Sequence, residues 1–253
     1  VHANLFGNEK KIRDVLNKYP YLSDKVSIFH TDNFVPMDAK PTDAVRRIGK
    51  DSSMWMSIDS CKNRKSDVVL SAGNTGALMA LSKLILKTVD GIERPAITAL
   101  WPNTEGDSVV LDLGANIDVS SNQLVQFGIM GYSYAVCVLK KSHPKIAILN
   151  IGHEEFKGSN ELQEAFERLS VIFKDKFIGF VEGDDLSKGT ADVIITDGFT
   201  GNVALKTAEG IAKLIGFYLS DSLKSNISGK LGMFIAQNSL KSFKKKIDPR
   251  GNN

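Results

Sequence analysis

Apolar residues recur along most of the chain in short, β-branched blocks, at 26–29, 67–71, 96–101, 108–113, 145–151, 177–180 and 192–196. These blocks are too short for amphipathic helices and too continuously apolar for strands with one face in water. They predict parallel strands covered on both faces. Stretches with helical spacing separate most of them, and three open on a capping signal: Pro41-Thr42-Asp43, Ser120-Ser121-Asn122 and Ser159-Asn160-Glu161. The alternation predicts an α/β fold with a doubly wound, mostly parallel sheet. The uncharged stretch 119–139 is long enough to span a bilayer, yet it carries Ser120, Ser121, Asn122, Gln123, Gln126 and Ser133 and reads as a buried helix. With no internal repeat and no compositional break, the chain is expected to form one α/β domain over 1–253, with a helical appendage at about 213–247.

Composition narrows the class. With 42% hydrophobic and 24% charged residues, a chain of 253 can bury a sizeable core, and 21 Gly against 7 Pro excludes collagen-like and Pro-rich linker sequences. Cys61 and Cys137 are too few for a disulfide framework; in helix-like contexts they are expected as buried thiols in a reducing compartment. The first residues show no basic patch followed by an apolar run, so no secretory signal is read. The net charge of +3 is uneven: residues 206–250 hold nine Lys/Arg and three acids, which places the basic excess in the C-terminal helices. Without an RNA-binding or helix-turn-helix signature that charge does not indicate a nucleic-acid partner. His2, His30, His143 and His153 are scattered, and no spacing suggests a metal site.

In an open parallel sheet ligands bind where strands end and helices begin. Four such turns are polar. In the segment 68–80 an apolar run meets Gly73, Asn74, Thr75 and Gly76 ahead of a helical pattern, a candidate anion cradle of backbone N–H groups at the positive end of a helix; the alternative is that both glycines only make a tight turn and let the helix pack closely. In 192–207 the run Asp197-Gly198-Phe199-Thr200-Gly201-Asn202 precedes Lys206, and Asn202 and Lys206 lie four apart on one helical face. A lysine opposed by the helix dipole suits a bound anion, and an exposed lysine on a solvated face is the competing reading. Asp112 lies in an apolar run ending Leu113-Gly114-Ala115-Asn116, where it is expensive unless it is hydrogen-bonded or functional. The segment 148–161 ends in acids, His153 and Lys157, a polar mouth in which His153 has no nucleophile motif beside it.

The segments SAGNTGALMA (71–80), RPAI (94–97), LDLGAN (111–116), LVQFGIMG (124–131), LNIG (149–152), KGSNEL (157–162), VEGDD (181–185) and TDGFTGNVALKT (196–207), together with the basic segment at 46–54, resemble the bacterial phosphate acyltransferase family of phospholipid synthesis, PlsX, over nearly the whole chain. That pattern has a strand and Gly-rich acidic loop ahead of residue 1 and a glycine-rich strand region beyond Pro249, so the sequence is expected to be part of a longer protein.

The resemblance implies an isocitrate/isopropylmalate dehydrogenase-like fold with a C-terminal helical hairpin, in a cytoplasmic homodimer without an organic cofactor. It implies conversion of long-chain acyl-[acyl carrier protein] and inorganic phosphate to acyl phosphate and free carrier protein, feeding a membrane glycerol-3-phosphate acyltransferase. On this expectation phosphate is held by Gly73, Asn74, Thr75, Gly76, Thr200 and Gly201. The catalytic groups are Lys206 and Asn202, with Asp112 and Asn116 as orienting groups and Lys188 beside them. Leu231, Phe234 and Ile235 form an apolar stripe beside lysines, suited to peripheral docking on the inner face of an anionic membrane; a helix pair packed on a dimer partner is the alternative. Two rival functions stay open, a phosphotransacetylase-like enzyme using acyl-coenzyme A and a non-catalytic scaffold at the membrane surface.

Overall fold

The computed structural model describes residues 1–46 and 49–247, with side chains to residue 243. Arg47 and Ile48 of the basic segment, the side chains of Lys244, Lys245 and Lys246, and Arg250 lie outside the described residues. Contacts divide the chain into two compact units, Val1–Pro95 and Ala96–Asn253.

In the first unit β1 (Ala3–Gly7) pairs in parallel with β2 (Val26–His30), and α1 (Glu9–Leu16) connects them. The helices α2 (Pro41–Arg46), α3 (Ser53–Lys62) and α4 (Thr75–Leu86) follow. Their core joins Ala44, Met54, Ile58, Ala77, Leu81 and Ile85, all buried. The sequence pattern named β2 and the start of α2 but not β1. The strand expected at 67–71 is absent: Val68 and Leu70 are 77% and 96% exposed, and Val69 packs on the helical core. A short apolar run becomes a strand only when a neighbouring strand takes its N–H and C=O groups, which the run itself cannot reveal.

The second unit is a mixed α/β body with a five-stranded, mostly parallel sheet flanked by helices. In chain order it comprises β3 (Thr98–Asn103), β4 (Gly106–Leu111), α5 (Ser121–Cys137), β5 (Ile146–Leu149), α6 (Asn160–Phe173), β6 (Phe177–Val181), α7 (Asp185–Lys188), β7 (Val193–Ile195), α8 (Gly198–Lys224), α9 (Ile227–Ile235) and α10 (Gln237–Ile247). The sheet order is β3-β4-β7-β5-β6. All pairs are parallel except β3–β4, an antiparallel hairpin that the apolar pattern alone did not distinguish. The Asn103 side chain accepts from the Glu105 N–H and bends the chain into that hairpin.

Successive strand residues feed opposite faces, so both faces are apolar. Val109, Leu111, Ile146, Ile148, Val193 and Ile195 join Phe127 and Leu169 on one side, whereas Val110, Ala147 and Ile194 join Leu186 and, from α8, Ala204 and Leu205 on the other. The stretch read as a buried helix is α5, opened by a capping box in which Ser120 and Gln123 satisfy each other. A Cβ on Gly131 would stand 2.9 Å from Leu111 Cδ2, so glycine lets α5 lie close on the sheet. Cys137 ends α5 and is exposed, which corrects its expected burial; Cys61 is intermediate. The position faces outward because the buried stripe of α5 ends at Ala135. The span expected as an appendage comprises the second half of α8 with α9 and α10.

Candidate active site

The four parallel strands β4, β7, β5 and β6 end on one edge of the sheet of the second unit. Two turns on that edge interlock. After β4 the chain turns through Asp112–Asn116, and after β7 it enters α8 through Asp197. Backbone bonds between Asp112 and Thr196 and between Thr196 and Leu111 carry the pairing to the end of both strands.

Asp112 is fully buried, and its carboxylate is occupied. Oδ1 accepts from the N–H groups of Ile97, Gly114 and Ala115 at 2.9, 3.3 and 3.0 Å. Oδ2 accepts from the Asn116 N–H at 2.7 Å and from Asn116 Nδ2 at 2.8 Å. A carboxylate with five donors shapes a loop; it has no remaining geometry for substrate. The Asp112 carboxylate thus organises its own loop, and Asn116, 3% exposed, is tied to it.

The glycines of the second turn set the helix against that loop. The Gly198 N–H donates to the Asn116 carbonyl at 2.8 Å. A Cβ on Gly198 would stand 2.6 Å from that same oxygen, and one on Gly201 would overlap the Asp112 carbonyl. Only glycine permits two backbones to approach this closely. Asp197 caps α8, accepting from the Thr200 N–H at 2.8 Å and the Thr200 hydroxyl at 2.7 Å, and the Gly201 N–H bonds to the Asp197 carbonyl. Thr200 and Gly201 thus have these donors engaged inside the helix end. Asn202 is exposed, its side chain lying over Gly114, and Lys206 is 63% exposed and paired with Glu209 at 3.1 Å.

A second polar cluster occupies the ends of β5 and β6. His153 Nδ1 lies 3.1 Å from the Phe180 carbonyl, and Nε2 lies 3.6 Å from Asp185 and 3.8 Å from Glu182. The Phe180 carbonyl, then Asp185, Glu182 and Asp184, hold the imidazole pKa above its ordinary value against a smaller opposing effect of burial. Lys188 pairs with Asp184 at 2.6 Å and Asp185 at 3.0 Å, which raises its own pKa. Glu154 pairs with Lys157 at 2.8 Å across Gly152.

In the first unit the Gly73–Gly76 turn has a structural occupation of its own. Asn74 caps α4 by accepting from the Ala77 N–H, and its Nδ2 donates to the carbonyls of Pro36, Met37 and Ala39 at 3.4, 2.8 and 2.9 Å. Gly73 and Gly76 face Met54 and Pro41, where an added Cβ would stand at 3.0 Å, and Thr75 is exposed. In the C-terminal helices Leu231, Phe234 and Ile235 are exposed. A groove of about 500 Å³ lies between α9 and α10, lined by Lys230, Met233, Phe234, Gln237, Leu240 and Lys241. Among the described residues no helix is long and apolar enough to cross a membrane.

The sequence pattern includes Asp197 and Gly198 in the run ahead of Lys206 but gives neither a role of its own. The signal was present: an Asp three residues ahead of a Thr, directly after an apolar run, is a helix cap.

A family model described as fatty acid synthesis protein matches residues 1–253. A protein of Parvibaculum lavamentivorans named phosphate acyltransferase is 46% identical over 250 residues, covering 98% of this chain and 69% of its own length. One of the same name from Rhodospirillum rubrum is 49% identical over 247 residues, covering 97% of this chain and 70% of its own. Among solved structures, the EutD phosphotransacetylase from Staphylococcus aureus superposes with a TM-score of 0.58 at 18% identity, over 82% of this chain and 73% of that one. A branched-chain phosphotransacylase from Enterococcus faecalis V583 does so with a TM-score of 0.51 at 13% identity, over 82% and 84%. At these identities the likeness is one of fold.

Proposed function

The chain belongs to the fatty acid synthesis protein family and is a phosphate acyltransferase like the curated relatives it matches; from that premise we propose that it transfers the acyl group of long-chain acyl-[acyl carrier protein] to inorganic phosphate, giving acyl phosphate and free carrier protein. The observation that carries this reading is the seating of the α8 N-terminus, by Gly198 and Gly201, on the loop saturated by Asp112. It points the positive end of a helix of 27 residues toward the strand-end edge, with Asn202 and Lys206 on the exposed side.

Phosphate at neutral pH is already a nucleophile, so the reaction asks the protein chiefly for positioning and for stabilisation of the oxyanion. In this reading Lys206 exchanges Glu209 for phosphate and the Asn202 amide donates to the oxyanion. Thr200 and Gly201 hold the helix end that faces the anion, and Asp112 and Asn116 are positioning residues. The Gly73–Gly76 turn is a second candidate phosphate-binding element, through the helix end that Asn74 caps. No organic cofactor takes part.

The same proposal places the protein as a cytoplasmic homodimer, peripheral to the inner membrane face through Leu231, Phe234 and Ile235, ahead of a membrane glycerol-3-phosphate acyltransferase. It takes the fold as isocitrate/isopropylmalate dehydrogenase-like with α9 and α10 as a helical hairpin. It keeps one α/β domain over 1–253, with a helical appendage at about 213–247.

The test is phosphate-dependent release of free carrier protein from its palmitoyl thioester, with palmitoyl-coenzyme A in parallel. Phosphate-dependent carrier release is expected, together with a phosphate KM raised at least tenfold in Lys206→Ala; turnover of the coenzyme A ester alone would overturn the substrate. Flotation with anionic vesicles tests docking: a Phe234→Ser, Ile235→Ser variant is expected to lose vesicle binding while keeping activity in solution.

A further inference from the structure

Transfer of an acyl group from sulfur to phosphate leaves one requirement that the groups above do not meet. The departing sulfur carries the electron pair of the broken carbon–sulfur bond, and an alkyl thiol with an ordinary pKa of about 8.5 leaves more readily when a proton reaches it during cleavage. Asp112 spends both carboxylate oxygens on five donors within the protein. Lys206 is assigned to the anion.

We propose that His153 delivers this proton, from Nε2, to the sulfur as the carbon–sulfur bond breaks. The inference rests on the reaction proposed above. Its geometric basis is the sheet: β5, which leads into His153, lies directly beside β7, which leads into α8, and the two are parallel. Neighbouring strands are about 4.8 Å apart, so the turn carrying His153 and the turn carrying Gly198 and Asn202 leave adjacent points of one edge. The other histidine of this unit, His143, precedes β5 and belongs to the opposite edge.

The ring is held for this task. A proton on Nδ1 donates to the Phe180 carbonyl at 3.1 Å, which leaves Nε2 as the exchanging nitrogen. Nε2 stands beyond hydrogen-bond distance of Asp185 and Glu182, at 3.6 and 3.8 Å, and the side chain is 60% exposed, so the charge is favoured while the proton stays accessible. The charged groups around it are Glu182, Asp184, Asp185 and Lys188 from the β6–α7 side, with Lys188 engaged by the two aspartates, and Glu154 paired with Lys157 on its own turn. Carboxylates outnumber cations around the ring, in keeping with its raised pKa.

The step balances. An oxygen of hydrogen phosphate forms a bond to the carbonyl carbon, the carbon–sulfur bond breaks with its electron pair on sulfur, and the Nε2 proton converts sulfur to the free thiol. The acyl phosphate, more acidic than hydrogen phosphate, then releases its remaining proton, which recharges the imidazole.

The experiment is the pH profile of kcat for phosphate-dependent carrier release, measured on the wild-type protein, His153→Gln and Glu182→Gln, with thermal unfolding of each. The charged donor is lost as pH rises through its raised pKa, so the wild-type rate is expected to fall on the alkaline side. Glu182→Gln removes one carboxylate and is expected to move that fall to lower pH. His153→Gln is expected to abolish it and to lower kcat on the order of 10²-fold with an unchanged Tm. A fall that persists at the same pH in both variants overturns the inference while leaving the reaction standing. Absence of phosphate-dependent release by the wild-type protein overturns the reaction, and this inference with it.

Discussion

Replacing Gly198 by alanine adds one methyl group where α8 meets the Asp112–Asn116 loop. The new Cβ would stand 2.6, 2.9 and 3.0 Å from the oxygen, nitrogen and carbonyl carbon of Asn116, all backbone atoms that cannot turn aside. Ordinary contact begins near 3.4 Å, so helix and loop must part by about 0.8 Å. The same movement lengthens the Gly198 N–H bond to the Asn116 carbonyl from 2.8 Å beyond useful range. Overpacking costs about 1–3 kcal/mol and a lost buried hydrogen bond about 1 kcal/mol more, giving about 2–4 kcal/mol in all. For a chain of this size that lowers Tm by about 4–16 °C. Displacing the α8 end by most of an ångström should also lower kcat/KM for carrier release by on the order of 10²-fold. Gly210→Ala is the control. It lies in the same helix with no atom within 4 Å of a built Cβ, and alanine there should be neutral or stabilising by up to about 1 kcal/mol. Calorimetry and steady-state kinetics on both variants decide the matter. If Gly198→Ala keeps both Tm and kcat/KM of the wild type, the close seating of α8 on the loop is refuted.

Asp112→Asn leaves one oxygen for N–H donors that now meet an NH₂ group, and should lower stability by about 3 kcal/mol, read as a shift of the urea midpoint at unchanged m-value. Asn74→Ala removes the cap of α4 and the donor to three loop carbonyls, at a cost of about 2 kcal/mol measured in the same way. Asp184 and Asp185 both titrate below their ordinary values, Asp184 mainly through Lys188, Asp185 through the Glu182 N–H and Lys188 against an opposing desolvation. Stability from such depressed carboxylates is present above their unfolded pKa and lost as pH falls through the folded one. Lys188→Met raises both folded values, so its acid unfolding, followed by circular dichroism, should begin at higher pH than that of the wild type.

What the sequence determined by itself was local and periodic. Continuous apolar runs named β4, β5, β6 and β7 to within a few residues, and Ser120 and Ser159 marked the starts of α5 and α6 because a capping side chain bonds within its own turn. The glycines of 196–202 were conspicuous in the sequence, but their use was not. Only the tertiary structure decided that the 67–71 run remains unpaired, that β3 turns back on β4, and that Asp112 spends its carboxylate on the N–H groups of its loop and of Ile97. The same holds for His153, whose setting depends on the Phe180 carbonyl and on Asp185. The reason is common to all four: each depends on a partner distant in the chain or on the lack of one, and neither periodicity nor capping chemistry carries information about which distant backbone group will arrive.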